Sequence, residues 1–251
     1  MATGGQFSAG IHAVQRLIRT HPTKVRKVFV DERSRNERVK AVVAEAGARG
    51  IQVHPVRNFR LDDMAKGTAH QGLVAALKNL DPWDEARLRT QLEQALQAGE
   101  APLLLVLDEL QDPHNLGACL RTADACGVLA VVVARDGAAR MTPAVRKVAS
   151  GGAESVPLVT VRNAGKTLEW LRSYGVRIIG TSDAADSTYW DADLVGPTAI
   201  VMGTESTGLS DSLAQRCDHL VAMPMKGLVE SLNVSVATGL MLYEAQRQRR
   251  D

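Results

Sequence analysis

The sequence predicts an α/β protein in two parts, a small N-terminal α/β module and a larger C-terminal domain built on a parallel sheet. Three observations carry this. From Leu103 onward, short runs of Leu, Val, Ile and Ala alternate with helix-length segments, the pattern of strands buried on both faces beneath crossover helices. Residues 1–78 repeat that alternation on a smaller scale. Charge is also segregated: residues 1–78 hold 14 Lys and Arg against 6 Asp and Glu, and residues 79–251 hold 16 against 22, so +8 and −6 make up the net +2 of the 251-residue chain.

In the first part, Ile11, Val14, Leu17 and Ile18 fall at helical spacing and Val25 to Val30 reads as a strand. Val39, Val42, Val43 and Ala46 mark a second helix that stops near Gly47 to Gly50. Ile51 to Val56 is a strand whose Pro55 favours a sheet edge or a strand end, and Gly72 to Leu77 is another. Residues 79–101 form a linker, in which Asp81-Pro82 breaks regular structure and Ala86 to Ala98 has the spacing of a short amphipathic helix. Within residues 102–251 the strands fall at Leu103 to Leu107, Leu129 to Ala134, Val156 to Thr160, Arg177 to Thr181, Thr198 to Met202 and His219 to Met223. The last helix runs from about Leu232 to Gln248.

Several classes of function are excluded. No run of 18 apolar residues occurs, so no membrane span is expected. The opening Met-Ala-Thr-Gly-Gly-Gln-Phe lacks the basic segment and apolar core of a secretory leader, which points to a cytoplasmic protein. Cys119, Cys126 and Cys217 have no CxxC spacing, and the first two read as small core residues of one helix. The six histidines form no HxxxH pair, so no metal is expected. Neither GxGxxG nor GxxxxGK[ST] occurs, and the strand at Leu103 runs into polar residues with no glycine before Gly117. That argues against a nicotinamide enzyme, a P-loop NTPase and a Rossmann-type methyltransferase. The basic N-terminal segment suits a polyanion, because neutralising phosphates releases counterions; the alternative is a solvated surface that happens to be basic.

Three polar islands each follow a strand end, where open α/β sheets place their ligands. The first runs from Asp108 through Asn115, near a helix start, to Arg121, which sits beside a buried stripe of Leu116, Leu120 and Ala123. In the second, Gly203 and Gly208 bracket Glu205. The third passes from Met223 to the start of the last helix, with Ser231, Asn233 and Ser235 as its first residues. Polar groups at a helix start suit the capture of something small, or an ordinary N-cap.

Taken as Asn115-Leu-Gly-Ala-Cys-Leu-Arg121, Gly203-Thr-Glu-Ser-Thr-Gly208 and Ser231-Leu-Asn-Val-Ser235, these islands resemble the three motifs of the SPOUT-class RNA methyltransferases of the TrmH-like family. Gly10-Ile-His-Ala-Val14 and His70-Gln-Gly72 extend the likeness to the N-terminal part, and within the family the chain resembles the bacterial enzymes that methylate a guanosine 2′-hydroxyl of 23S rRNA. The resemblance implies a ribosomal-protein-like RNA-binding module at residues 1–78 and a SPOUT domain at residues 102–251. It also implies a deep trefoil knot formed by threading roughly Thr198 to Arg250, where pattern alone would suggest an ordinary doubly wound sheet. S-adenosylmethionine is the implied cofactor, held by backbone groups of Gly203, Met223 and Leu232 with Thr181 nearby; Met223 and Leu232 are equally suited to core packing. The implied partners are 23S rRNA and a second copy of the chain, since the last helix carries Val234, Leu240, Met241 and Leu242, more apolar surface than one sheet face needs.

Arg121 matches the arginine to which the family assigns activation of the hydroxyl. A guanidinium pKa above about 12 makes contact with a phosphate or oxyanion physically easier than base catalysis. Asn115, Glu205, Ser231 and Asn233 then fix Arg121 and the ribose, with Glu205 also readable as a helix-start carboxylate. The +8 segment predicts phosphate contacts by Arg16, Arg19, Lys24, Arg26 or Lys27. Lys226, Glu230, Ser206 and Thr207 depart from the family pattern beside the pocket. Two other functions fit the same residues: 2′-O-methylation of tRNA or another rRNA site, and a non-catalytic RNA-binding assembly factor.

Overall fold

The computed structural model describes residues 7–65, 67, 69–77, 83–135, 137–205 and 207–250. The expectations for the N-terminal leader up to Gln6, for Asp81-Pro82 and for Ser206 lie outside the described residues. The chain divides into two compact units, Met1–Leu80 and Asp81–Asp251.

The first unit contains β1 (Phe7–Ala9), α1 (Ile11–Thr20), a 3-10 turn at Pro22–Lys24, β2 (Val25–Asp31), α2 (Glu37–Ala48), β3 (Gln52–Val56), α3 (Asn58–Ala65) and β4 (Leu73–Leu77). Its sheet has the order β1-β4-β2-β3, with β2 and β3 parallel and β4 antiparallel to both β1 and β2. β3 is an edge strand, where Pro55 removes no ladder bond from a central position. Ile11, Val14 and Ile18 of α1 and Val39, Val42 and Ala46 of α2 pack on Val28, Leu73 and Ala75, covering one face. On the other face α3 lays Leu61 and Ala65 against Val74 and Phe29. β1 and α3 were not legible in the sequence: one has three residues and the other only eight, too short to set a period.

The second unit contains α4 (Glu85–Gln97), β5 (Leu103–Leu107), α5 (Pro113–Ala125), β6 (Ala130–Ala134), α6 (Pro143–Ala149), α7 (Gly152–Ser155), β7 (Leu158–Val161), α8 (Ala164–Ser173), β8 (Arg177–Thr181), β9 (Thr198–Met202), α9 (Asp211–Ala214), β10 (His219–Val221) and α10 (Val234–Gln248). Its six strands are all parallel, in the order β10-β8-β9-β5-β6-β7. The alternation along β5 shows why the run is apolar throughout. Leu103, Leu105 and Leu107 face one cluster with Leu116, Leu120, Met241 and Leu242. Leu104 and Val106 face another with Leu88, Leu92, Leu168 and Leu171. With period-2 geometry and helices on both faces, no position on the strand meets water.

Leu103–Leu107, Arg177–Thr181 and Thr198–Met202 have the bounds expected from the sequence, the other expected strands differ by one or two residues at an end, and the last helix begins at Val234 and not near Leu232. Asn233 is its N-cap, with the side-chain oxygen accepting from the Ser235 N–H at 3.0 Å, which fixes the helix start one residue later. Among the described residues no helix is long and apolar enough to cross a membrane, and no group of three or more His, Cys, Asp or Glu could hold a metal ion.

Cys119 and Cys126 are buried as expected, and burial pushes both thiols up to about 11. Burial pushes Cys217 up to about 12. The thiolate is the reactive form, so labelling by a thiol reagent at pH 8 is expected to be slow in the native protein and fast in denaturant. Rapid native labelling would show that the packing around these thiols opens readily.

Candidate active site

β9 and β5 are the two central strands, and their carboxyl ends face the same edge of the sheet. β5 leads through a short loop into α5, where Asp112 caps the His114 N–H at 2.8 Å and Pro113 occupies the first turn. That places Asn115 at the start of α5, against the loop that follows β9. Gly203 begins this loop. It is buried, and a Cβ on it would collide with the backbone of Gly208. The loop closes on itself through Thr204 N–H to the Gly208 carbonyl at 3.0 Å and the reverse bond at 3.1 Å.

Glu205, at the tip, joins the three islands. One oxygen, Oε1, accepts from Asn115 Nδ2 at 3.3 Å, from Asn233 Nδ2 at 2.5 Å and from the backbone N–H of Val234 at 2.9 Å. Asn233 Nδ2 also donates to Asn115 Oδ1 at 3.0 Å, and Asn233 Oδ1 accepts from Ser235 Oγ at 2.6 Å. Ser231 Oγ donates to the Glu205 carbonyl at 3.5 Å. Glu205 is thus both readings at once: a carboxylate at the positive end of α10, and the hub on which Asn115 and Asn233 are oriented.

Arg121 stands apart from this triangle. It lies six residues after Asn115 on α5, about 9 Å along the axis and a third of a turn round. It is exposed, as expected for a residue beside the buried Leu116, Leu120 and Ala123. Its side chain makes no hydrogen bond or ion pair with a described residue. The start of α7 packs on the backbone here: a Cβ on Gly152 would meet the Leu120 carbonyl at 2.5 Å and Arg121 Cα at 2.9 Å. Only glycine permits that approach.

Residues 223–232 carry no helix or strand, and none of their amides or carbonyls makes a backbone hydrogen bond with a described residue. Met223 and Leu232 are half-buried against the core, so their side chains anchor this open backbone. Thr181 Oγ1 donates to the Val201 carbonyl at 3.4 Å, at the end of the neighbouring strand. Free amides and carbonyls beside apolar anchors fit an adenine-bearing ligand held by main chain. Lys226 and Glu230 are exposed in the same segment, and Thr207 bonds Thr204 Oγ1 through its N–H at 3.1 Å.

The five N-terminal basic residues lie in different surroundings. Arg16 and Arg19 are exposed on α1, and Arg19 is engaged by Glu45 at 2.8 Å, which raises the arginine pKa. Arg26 is exposed at a bulge in β2, and Lys24 is half-buried in the 3-10 turn. Lys27 lies over the Phe29 ring at 5.5 Å, on the sheet face that α3 covers.

Sequence reasoning missed Asp108. It is 7% exposed, its Oδ2 accepts from the Ser210 N–H at 2.9 Å, and its own N–H donates to the Met202 carbonyl at 2.8 Å. It therefore secures the far end of the loop that Glu205 secures at the tip. Its one sequence signal is its position as the first polar residue after an apolar strand.

Residues 102–243 match the SpoU rRNA methylase family, and residues 9–83 match the family described as RNA 2′-O ribose methyltransferase substrate binding. The chain belongs to the SpoU rRNA methylase family. It is 47% identical over 241 residues to the 23S rRNA (guanosine-2′-O-)-methyltransferase RlmB of Pseudomonas syringae pv. tomato, covering 96% of this chain and 94% of that protein. The RlmB of Pseudomonas aeruginosa is 46% identical, covering 96% and 95%. Among solved structures, the SpoU methyltransferase AviRb from Streptomyces viridochromogenes in complex with AdoMet superimposes with a TM-score of 0.67 at 26% identity, covering 98% of this chain and 91% of that one. An AdoMet-bound rRNA methyltransferase from Sinorhizobium meliloti gives 0.67 at 25%, covering 99% and 89%.

Proposed function

We propose that this protein transfers a methyl group from S-adenosylmethionine to the ribose 2′-hydroxyl of a guanosine in the peptidyl-transferase region of 23S rRNA. The carrying observation is the identity of 47% along nearly the whole chain to an enzyme named for guanosine 2′-O-methylation of 23S rRNA, on a chain whose three motif islands meet at Glu205. The open backbone of residues 223–232, with Gly203 and Thr181 beside it, would hold the cofactor, which would supply an electrophilic methyl on a sulfonium. The chain's own residues do the rest. Asn115 and Asn233, oriented by Glu205, would hold and orient the ribose; alignment supplies much of the rate. Arg121, whose side chain makes no hydrogen bond or ion pair with a described residue, would receive charge developing on that oxygen or the adjacent phosphate as the hydroxyl proton passes to solvent.

The experiment is transfer of labelled methyl to unmodified 23S rRNA fragments, with the modified ribose mapped. Transfer to tRNA and not to these fragments would move the substrate; no transfer to any RNA would make the chain a binding factor.

The N-terminal unit is the RNA-binding module in this reading, supported by its +8 balance and its match to a substrate-binding family. Deleting it is expected to weaken binding to rRNA and flatten its salt dependence. Full-strength, salt-sensitive binding by the remaining residues would overturn that assignment.

The second unit pairs with a second copy through α10. Val234, Met241 and Leu242 are used inside the chain, but Val236, Leu240 and Tyr243 recur at i, i+4 and i+7 and remain 52%, 39% and 58% exposed. With Tyr189 they line an open groove of about 400 Å³. Sedimentation at micromolar concentration is expected to give the mass of two chains, and a monomer with full turnover would rule the pairing out. The C-terminal stretch is threaded as a knot in the same reading. In support, the end of α10 returns to the loop before β9, with Arg249 donating to the Leu194 and Gly196 carbonyls at 2.7 Å. The work is cytoplasmic, where rRNA is made.

A further inference from the structure

We infer that the catalytic unit carries its own RNA track, formed by the loops after β6 and β7, which holds the single strand flanking the target nucleotide. The inference rests on the methyltransferase reading above and adds a contact surface to it. In a parallel sheet all carboxyl ends lie on one edge, and β6 and β7 follow β5 in lateral order, so the track starts beside Asn115 and runs about 10 Å outward at the usual strand spacing.

Four cations line it. Arg135 follows β6, with its N–H bonded to the Val161 carbonyl at 2.8 Å, and Arg162 follows β7. Arg140 is held near the site because the preceding Ala139 N–H donates to the Leu110 carbonyl at 2.7 Å. Lys166 is in the first turn of α8. All four are exposed, and none makes a hydrogen bond or ion pair through its side chain with a described residue. Elsewhere in this unit arginines are commonly satisfied: Arg146 by Glu154, Arg172 by Asp218, Arg177 by Asp193, Arg216 by Glu169 and Arg247 by Glu244. Unpaired cations gathered on one edge are suited to an anion from outside.

At its outer end the track opens into a concavity of about 610 Å³ lined by Arg162, Lys166, Arg89 and Trp170. The acids there are already engaged. Glu85 accepts from Trp170 Nε1 at 2.7 Å and faces Arg89 at 3.8 Å, and Glu169 is bound to Arg216. Arg162 and Lys166 are left uncompensated. The other side of the edge has the opposite sign: the loop after β8 exposes Asp183 and Asp186. Between the two sides, Glu109 and Asp112 are exposed before α5, Asp112 as its cap; Asp136 lies outside the described residues. The field along the edge therefore draws a phosphate chain in from the β7 side and away from the β8 side.

The test uses the full chain carrying Arg135→Ala, Arg162→Ala and Lys166→Ala together, with an unmodified 23S rRNA fragment as probe. Binding is expected to weaken about tenfold, and the salt slope to fall by roughly 2 if each cation meets a phosphate of a single strand. KM for RNA rises while S-adenosylmethionine binding and the thermal midpoint stay put. Arg135→Lys with Arg162→Lys keeps the slope, which separates charge from folding, and Asp183→Asn with Asp186→Asn does not lower it. An unchanged slope and affinity in the triple variant, with normal methyl transfer by the unmodified chain, overturns the track and leaves the enzymatic reading standing. A reduced slope with no methyl transfer by the unmodified chain supports the track and overturns that reading.

Discussion

Arg121→Ala is expected to lower methyl transfer by about a hundredfold or more, the usual scale for losing a group aligned to stabilise charge. The fold gives no reason for a stability effect. Arg121 is exposed and its side chain makes no hydrogen bond or ion pair with a described residue, and exposed substitutions of that kind stay within about 0.5 kcal/mol. Cofactor binding is also expected to persist, because the open backbone at residues 223–232 and Gly203 belong to other loops. Arg121→Lys recovers little, since a point charge does not reproduce a planar fork of donors. Measuring kcat with S-adenosylmethionine affinity and the melting curve separates the outcomes. Near-normal turnover in Arg121→Ala would make the residue dispensable and leave the charge on the hydroxyl oxygen to be stabilised elsewhere.

Glu205→Ala is expected to damage two things together. The Val234 N–H loses its acceptor at the start of α10, a loss on the order of 1 kcal/mol for a helix cap. Asn115 and Asn233 lose the oxygen that orients both amides, so transfer falls by about a hundredfold even though no reacting atom need touch the carboxylate. Glu205→Gln keeps a carbonyl that can accept these bonds but loses their charge-assisted character, and an intermediate rate is expected. Amide hydrogen exchange at Val234 and Ser235 gives an independent readout. Unchanged protection there, together with full activity, would remove Glu205 from the site.

The difference between these substitutions marks what the sequence could and could not disclose. The six parallel strands were legible because burial on both faces leaves an unbroken apolar run, as in β5. β1 and α3 were not, because a three-residue strand and an eight-residue helix give no period to read. Asn115, Glu205 and Asn233 could be singled out by their motif spacing. Their convergence on one oxygen could not, since it joins residues 90, 118 and 28 positions apart and no local rule spans such intervals. Asp108 escaped for the same reason: its partner, the Ser210 N–H, is 102 positions away. The exposed stripe on α10 was half visible. Its apolar excess was plain, but which of those residues the chain itself covers depends on α5 and the sheet: Val234, Met241 and Leu242 are covered, whereas Leu240 stays exposed and is joined by Val236 and Tyr243.

The central pairing of β5 with β9 sets a clock on synthesis. Leu103 is matched to Thr198, about 95 residues later, and chains grow at roughly 5–20 residues per second. For something like 5–20 s the nascent protein therefore holds Leu103–Leu107 with one side unpaired, a continuous apolar edge open to any other strand. β6 closes the opposite side early, through neighbours near in sequence. The edge toward β9, and with it the meeting of the three motif loops, waits for the last quarter of the chain. A ribosome stalled before Thr198 would release a sheet that is half built, catalytically empty and prone to associate.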